Sequence, residues 1–370
     1  MNKQTVTTNP PSADSQDRGE QVSITQANTI KLGIDVHLRQ YTVVRQVDHA
    51  TPQPAQRFTP EEFLKWVAKQ QQLGEKVYAC YEAGFSGFVL ARKLRAMGVE
   101  CYVICPQNWD ERSQRVKNDS RDALHMTLRL DRYVQGNRDA LAVVRVPTPE
   151  EERSRCESRQ REQLLKERQR LQAQGRSLMM SQGLTAEGGW WKKRSWEKLQ
   201  TSLPGWVAER LEIWIPILLL IEEKLAVLTR QLENAAAPNS PRGFGALTCE
   251  TLQREMGDWK CFKNRRQVGS YTGMCPGERS SGDRTCSLSI TKHGNPRVRH
   301  PLIELAWRVV RFQPKYPPVQ KWRCVLGNPR ATSSARKKAI VAIGRRLAVD
   351  LWRMKTGRCT AADLHLVLNT

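Results

Sequence analysis

From Thr29 onward the chain alternates apolar and polar positions, first in "TIKLGIDVH" and again in "YTVVRQV", with a short polar turn between them. A period of two predicts strands, and the pair predicts a hairpin that opens a sheet. The period then lengthens in "TPEEFLKWVAKQQQ", where Phe63, Trp66 and Val67 follow helical spacing behind a Thr-x-x-Glu start. Strand "KVYACYE", helix "FSGFVLARKLRAMG", strand "ECYVICP" and helix "SRDALHMTLRLDRYV" continue the alternation. Residues 30–146 therefore read as an α/β domain of two or three layers. Residues 1–29 carry no such pattern and read as a disordered tail.

Past Pro147 the texture turns helical and charged. "EERSRCESRQREQLLKERQRLQAQ" has mixed charges and sparse apolar positions, so it predicts a solvated helix that needs a partner. "WVAERLEIWIPILLLIEEKLAVLTRQLE" is the more apolar helix that can supply it, with "GLTAEGGWWKKRSW" as the connection. Residues 147–238 thus read as a helical hairpin or coiled-coil arm, a natural dimerisation element. "NAAAPNSPRG" is a linker by composition. Residues 239–370 read as a mainly α domain: two short helices around "WKCF", a Gly/Ser/Thr loop in "GERSSGDRTCSLSITKHG", a helix capped by Asn295 with Pro296 in its first turn, and a basic amphipathic helix in "SSARKKAIVAIGRRLAVDLWRMK".

Charge narrows the function. Lys and Arg number 60 against 37 Asp and Glu, a net charge of +23, which points to a polyanionic partner. The excess concentrates late in the chain: 25 Lys/Arg stand against 8 Asp/Glu from Asn239 to Thr370. A membrane partner is not expected, because the long apolar run, Ile213 to Ile221, is interrupted by Pro216 and too short to span a bilayer. The first residues lack a signal peptide's apolar core, so a cytoplasmic location is expected. Ten cysteines are scattered with no CxxC pair, which predicts reduced and mostly buried thiols rather than disulfides or a zinc site.

Four acids stand out by context. Asp35 lies inside the apolar strand "LGIDV", where a lone carboxylate is expensive to bury. Glu82 ends another strand, and Asp119 and Asp122 share one face at a helix start. Acids brought together at strand ends suit Mg²⁺, which takes oxygen ligands; two such ions about 3.5–4 Å apart can hold the attacking and leaving oxygens of a phosphodiester displacement. Arg112, Arg115, Lys117 and Arg121 are placed to hold phosphates. Taken singly, Asp119 also fits a helix cap, and His37 and His125 read as structural histidines. Trp190, Trp191 and Trp196, around Lys192, Lys193 and Arg194, fit either stacking on unpaired bases or packing at the tip of the arm.

"GIDVH", "YEAG", "KNDSRDA" and, far downstream, "YTGMCPGERSSGDRTCSLSITKHGNPRVR", in that order, resemble the DEDD insertion-sequence transposases of the IS110 family with its IS1111 subgroup. The resemblance covers about residues 30–146 and 240–312, with the arm between. It implies a RuvC-like, ribonuclease-H-type domain with a metal-binding tetrad at Asp35, Glu82, Asp119 and Asp122. It also implies a C-terminal transposase domain whose serine nucleophile is Ser281, with adjacent Ser280 as its rival. Acids of one subunit and the serine of another would form a composite site, making a covalent phosphoserine link to DNA in a dimer or tetramer. A noncoding guide RNA from the same element would pair with donor and target DNA, and a bacterial, nucleoid-associated protein is the setting such a role implies. Arg284, Lys292, Arg297 and Arg299, after the serine, read as phosphate contacts. Departures from the family pattern, including the long N-terminal tail and variation in "YEAGFSGF" and "GMCPGERSSG", leave every proposed catalytic residue in place. Two other readings of the same residues are a resolvase-like nuclease that uses the four acids and water, and a non-catalytic nucleic-acid binder.

Overall fold

A mixed sheet with strand order β3-β2-β1-β4-β5-β6 organises the N-terminal part of the chain. The structure is a computed structural model and describes residues 27–106, 118–185, 188–281 and 284–369. β1 (Ala27–Val36), β2 (Tyr41–Val47) and β3 (Gln56–Phe58) form an antiparallel meander. α1 (Pro60–Leu73) follows, started by a capping box in which Thr59 and Glu62 satisfy each other's backbone amides. β4 (Gly74–Glu82) returns parallel to β1, α2 (Val89–Ala96) crosses over, and β5 (Glu100–Ile104) lies parallel to β4. α3 (Asp119–Val134) leads to the two-residue antiparallel edge β6 (Val143–Val144). This is a mixed α/β architecture compatible with a ribonuclease-H-type domain.

Alternation along the strands sorts the core into two sides. Ile30, Leu32 and Ile34 of β1 pack with Val77, Ala79 and Tyr81 of β4 against Phe63 and Val67 of α1 and Leu90 and Leu94 of α2. The opposite face carries Cys80 and Ile104 against Met126 and Leu130 of α3. The domain is thus three-layered, with α3 alone on the second face among the described residues.

The chain divides after Val146 into two compact units. The second is helical. α4 (Pro149–Ser181) runs antiparallel to α7 (Trp214–Ala235), the pairs Arg161–Thr229 and Arg168–Glu222 marking opposite directions. Between them lie α5 (Lys193–Leu199) and α6 (Gly205–Glu212). The run expected as one apolar helix from Trp206 is broken at Ile213, and Pro216 falls in the first turn of α7, where its missing N–H costs no helical hydrogen bond. α8 (Ala246–Met256), α9 (Arg265–Thr272), the hairpin β7 (Pro276–Ser281) and β8 (Arg284–Ile290), and α10 (Pro296–Phe312), α11 (Pro317–Leu326) and α12 (Ser333–Lys355) complete the unit. Asn295 caps α10 as its sequence implies.

Three further expectations meet a different structure. "GERSSGDRTCSLSITKHG" is for the most part a hairpin rather than a loop; its small polar residues mask the strand alternation. The arm and the C-terminal helices form one unit, because Arg159, Arg254 and Arg297 make ion pairs between α4 and α8 or α10. Of the ten cysteines, none in a disulfide, only Cys80 and Cys101 are buried and five are exposed, since those five lie on surfaces that no core covers. Among the described residues no helix is long and apolar enough to cross a membrane.

Candidate active site

The site begins with strand parity. Lys31, Gly33 and Asp35 share one face of β1, the face covered by α3. Lys31 Nζ pairs with Asp131 Oδ1 at 2.7 Å near the C-terminus of α3, and the Gly33 amide donates to Thr127 Oγ1 at 3.0 Å one turn earlier. α3 therefore runs antiparallel to β1, and its N-terminus arrives at the C-terminal end of β1, where Asp35 stands. The Asn118 side chain caps the helix by accepting from the Ser120 amide at 3.0 Å. That leaves the carboxylate of Asp119, the first helical residue, free of the capping role that its position alone would allow.

Asp35 and Asp119 meet on one imidazole. His37 Nε2 lies 3.2 Å from Asp35 Oδ2 and 3.6 Å from Asp119 Oδ2. One ligand atom of each of the three residues lies within 4.8 Å of the others, and no other such cluster occurs among the described residues. Burial raises the Asp35 carboxyl above its usual range; the His37 contact opposes this, and the charges of Asp119 and Asp122 add to it. Asp122, one helical turn from Asp119, therefore lies within electrostatic reach of Asp35. Glu82 reaches the same end of the sheet by register: Ile34 pairs with Tyr81, and Asp35 and Glu82 each follow by one residue on adjacent parallel strands.

These acids fit a divalent cation. Carboxylate oxygens are the donors that Mg²⁺ or Mn²⁺ prefers. Burial raises Asp35, repulsion from neighbouring carboxylates adds to the rise, and a cation would oppose both. The side chains keep 24% exposure at Asp35, 49% at Asp119 and 52% at His37, so an external phosphate can approach. His37 is the residue that sequence reasoning undervalued. Its signal was its place two residues beyond Asp35, across the strand end and on the same face. His125, half-buried on α3, joins no such cluster. Arg121 is exposed in the first turn of α3, while Arg112, Arg115 and Lys117 lie outside the described residues.

In the second unit Ser281 is the last residue of β7 and pairs with Arg284 at the turn end of the hairpin; Ser280 pairs with Thr285. A Gly-Asp pair, Gly282 and Asp283, between two short runs is a two-residue hairpin signal that the loop reading overlooked.

Comparison with known proteins decides the family. Residues 239–318 match the transposase family described as IS116/IS110/IS902. Two Sinorhizobium fredii proteins with provisional transposase names, y4rJ and y4qE, are 33% and 32% identical over 74% and 79% of this chain and 75% and 74% of their own lengths. The transposase for insertion sequence element IS1111A of Coxiella burnetii is 26% identical over 73% of this chain and 76% of its own. The chain belongs to the IS110 family of insertion-sequence transposases. It is thus an enzyme of DNA strand transfer, and DNA is the polyanion that its charge anticipates.

Within the transposase, the cations after the hairpin differ in what they do. Arg297 Nε holds Glu162 Oε2 of α4 at 2.7 Å, and Arg299 Nη1 donates to the carbonyls of Thr272 and Lys292 at 3.1 and 3.3 Å. Lys292 is exposed in a left-handed conformation, φ 58°. The tryptophans are packing residues: Trp190 and Trp191 are 2% and 3% exposed, and Trp196 packs beside them. Gly175 of α4 makes room for Trp190, since a Cβ there would stand 2.2 Å from the indole. Further exposed cations lie in the basic helix that the sequence predicts and in the stretch before it. Between Glu304 and Asp350 the chain has no acid, and Lys315, Lys321, Arg323, Arg330, Lys337 and Lys338 are all exposed.

Proposed function

We propose that this transposase excises and rejoins insertion-sequence DNA as a site-specific serine recombinase, with a RuvC-like domain whose acids hold Mg²⁺. The observation that carries the metal half is the meeting of Asp35 and Asp119 on His37 at the sheet end, with Asp122 in electrostatic reach and Glu82 at the adjacent strand end. Asp35, Glu82, Asp119 and Asp122 are the proposed ligands. When bound, Mg²⁺ would stabilise the charge that develops on a pentacoordinate phosphate and make the attacking hydroxyl more acidic.

The chain's own groups do the rest. The acids keep the sheet end negative until a cation arrives. Arg112, Arg115, Lys117 and Arg121 hold the flanking phosphates, and Arg284, Lys292 and the exposed cations between Lys315 and Lys338 hold other phosphates of the duplex. The Ser281 hydroxyl forms a new P–O bond as one DNA P–O bond breaks, its proton passing to a base and the leaving oxygen taking one up. The reverse exchange with a second DNA end rejoins the strands. Ser281 is the last residue of β7, at the turn end of the hairpin. By family resemblance, one subunit lends acids to the serine of another, and the α4–α7 arm supports assembly into a dimer or tetramer. Site choice belongs to a noncoding RNA of the element, in keeping with a protein whose candidate contacts are to phosphate.

The test is a denaturing gel of labelled element-end DNA incubated with Mg²⁺ and with protein copurified with its element's RNA. Wild type should give a protein-linked DNA band that Ser281→Ala abolishes and that is lost when the RNA is removed. Cut DNA without linked protein, indifferent to Ser281→Ala, would make the protein a water-using, metal-dependent endonuclease. Binding without any cutting would leave only the nucleic-acid-binding reading.

A further inference from the structure

The interface that brings Asp119 to Asp35 has an unusual centre. Gly33 lies two residues before Asp35 on the same strand face, and α3 crosses it at backbone contact. A Cβ at Gly33 would stand 2.3 Å from the Ala123 carbonyl oxygen, 2.4 Å from Thr127 Oγ1 and 2.6 Å from the Thr127 amide nitrogen. All three distances are well inside van der Waals contact, so α3 sits where only glycine admits it. The Thr127 side chain, fully buried, fastens this contact. Its hydroxyl accepts from the Gly33 amide at 3.0 Å, and its proton has the Ala123 carbonyl at 2.9 Å and the Val44 carbonyl of β2 at 3.1 Å within reach. One hydroxyl therefore ties α3 to the backbones of both β1 and β2, two helical turns from Asp119 and two strand residues from Asp35.

We infer that Gly33 and Thr127 are positioning residues that set the separation of the Asp35 and Asp119 carboxylates and hence the affinity of the acid site for divalent metal. The inference rests on the metal-site reading above and adds to it the element that fixes the geometry. The second anchor of α3, the Lys31–Asp131 pair, lies at the far end of the helix and cannot set this spacing alone, because Lys31 reaches it through a long flexible stem. Thr127 is short and stiff at χ1, so a helix held through it has little room to slide. Metal ligands depend strongly on such supporting contacts: losing one typically weakens metal affinity by about 10- to 100-fold.

The experiment uses full-length protein and Mn²⁺ alone as the probe, with affinity read by electron paramagnetic resonance, folding by circular dichroism, and DNA binding by gel shift. Thr127→Val keeps the volume and removes the hydroxyl. It should weaken Mn²⁺ binding by about 10-fold, shift the Mg²⁺ midpoint of end cleavage upward by a similar factor, and leave DNA binding unchanged. Thr127→Ser, which restores the hydroxyl, should return Mn²⁺ binding to near the wild-type value, and Gly33→Ala should exceed the effect of Thr127→Val. A folded Thr127→Val with wild-type Mn²⁺ affinity, whatever its melting temperature, overturns the inference. So does a folded Thr127→Ser that binds as weakly as the Val variant. Asp119→Ala separates the two levels: if it abolishes Mn²⁺ binding while Thr127→Val does not change it, only the positioning role fails. If Asp119→Ala leaves Mn²⁺ binding intact, the metal-site reading fails and the positioning role falls with it.

Discussion

Asp35 at the sheet end and two buried acids of the helical unit, Glu255 and Asp350, receive opposite treatment. In the helical unit, Glu255 is 1% exposed and accepts two hydrogen bonds from Arg159, at 2.8 and 2.9 Å, and a third from Asn295 at 3.1 Å. Asp350, equally buried, accepts from Tyr316 and Arg346 at 2.8 and 2.9 Å and pairs with Arg353 at 3.3 Å. Each is matched by cations and donors from other turns or other helices, and each joins elements: Glu255 links α8 to α4 and α10, and Asp350 links α12 to Tyr316 before α11. Burial works to raise Glu255, but the bonds from Arg159 and Asn295 outweigh it and hold the carboxyl below its usual range. Asp35 goes the other way: burial raises it, and its acidic neighbours add to the rise. An acid clamped by arginine has no use for a metal. An acid held beside other acids gains from one, and that difference is what favours the proposed metal chemistry at the sheet end.

Breaking the comparison at its reactive end should give the largest effect. Asp119→Ala is expected to reduce strand cleavage by about 10³-fold, measured on labelled element-end DNA, with gel-shift affinity for the same DNA nearly unchanged. Unchanged cleavage would remove the acids from the mechanism. In the helical unit the cost should fall on stability. Glu255→Ala strands Arg159 and Asn295 and should destabilise the fold by about 2–4 kcal/mol, below the full value for a buried pair because Arg159 is partly exposed; urea denaturation measures it.

The pH dependence sharpens the same point. Because the folded-state pKa of Glu255 lies below its ordinary 4.5, its stabilisation is complete above that value and is lost as pH falls through the lower folded one. The wild-type denaturation midpoint should therefore drop in that window more steeply than that of Glu255→Gln. The smallest effect has the opposite sign. Asp35→Asn removes a half-buried charge beside like charges, so the metal-free protein should gain about 1 kcal/mol or less, seen as a slightly higher melting temperature, while cleavage is lost. A destabilised Asp35→Asn would show that Asp35 is a structural acid after all.

Local chemistry was legible where neighbours in sequence are neighbours in space. The Thr59–Glu62 capping box, the Asn295 cap and the β1–β2 hairpin each need only a few consecutive residues, and each stands where the pattern puts it. Signals that are short or masked went unread. β3 and β6, three and two residues long, are too brief to show a period. β7 and β8 hide theirs under serine and glycine. His37 looked ordinary because its place two residues beyond Asp35 gains meaning only when Asp119, 84 residues on from Asp35, folds against it.

The sequence alone determined that the protein is cationic and built for a polyanion, that its first half alternates strand and helix, that its second half is helical, and which acids and serine deserved attention through their resemblance to a transposase family. Those are matters of composition, period and motif, which survive without three dimensions. The tertiary structure decided which of those residues meet. It placed α3 antiparallel on β1 so that Asp119 reaches Asp35, and it buried Trp190 and Trp191 instead of leaving them for bases. It also committed Arg297 to Glu162. The reason is contact at long sequence separation: a glycine that admits a helix backbone and a threonine that bonds two strands have no local signature, because each is defined only by what folds against it.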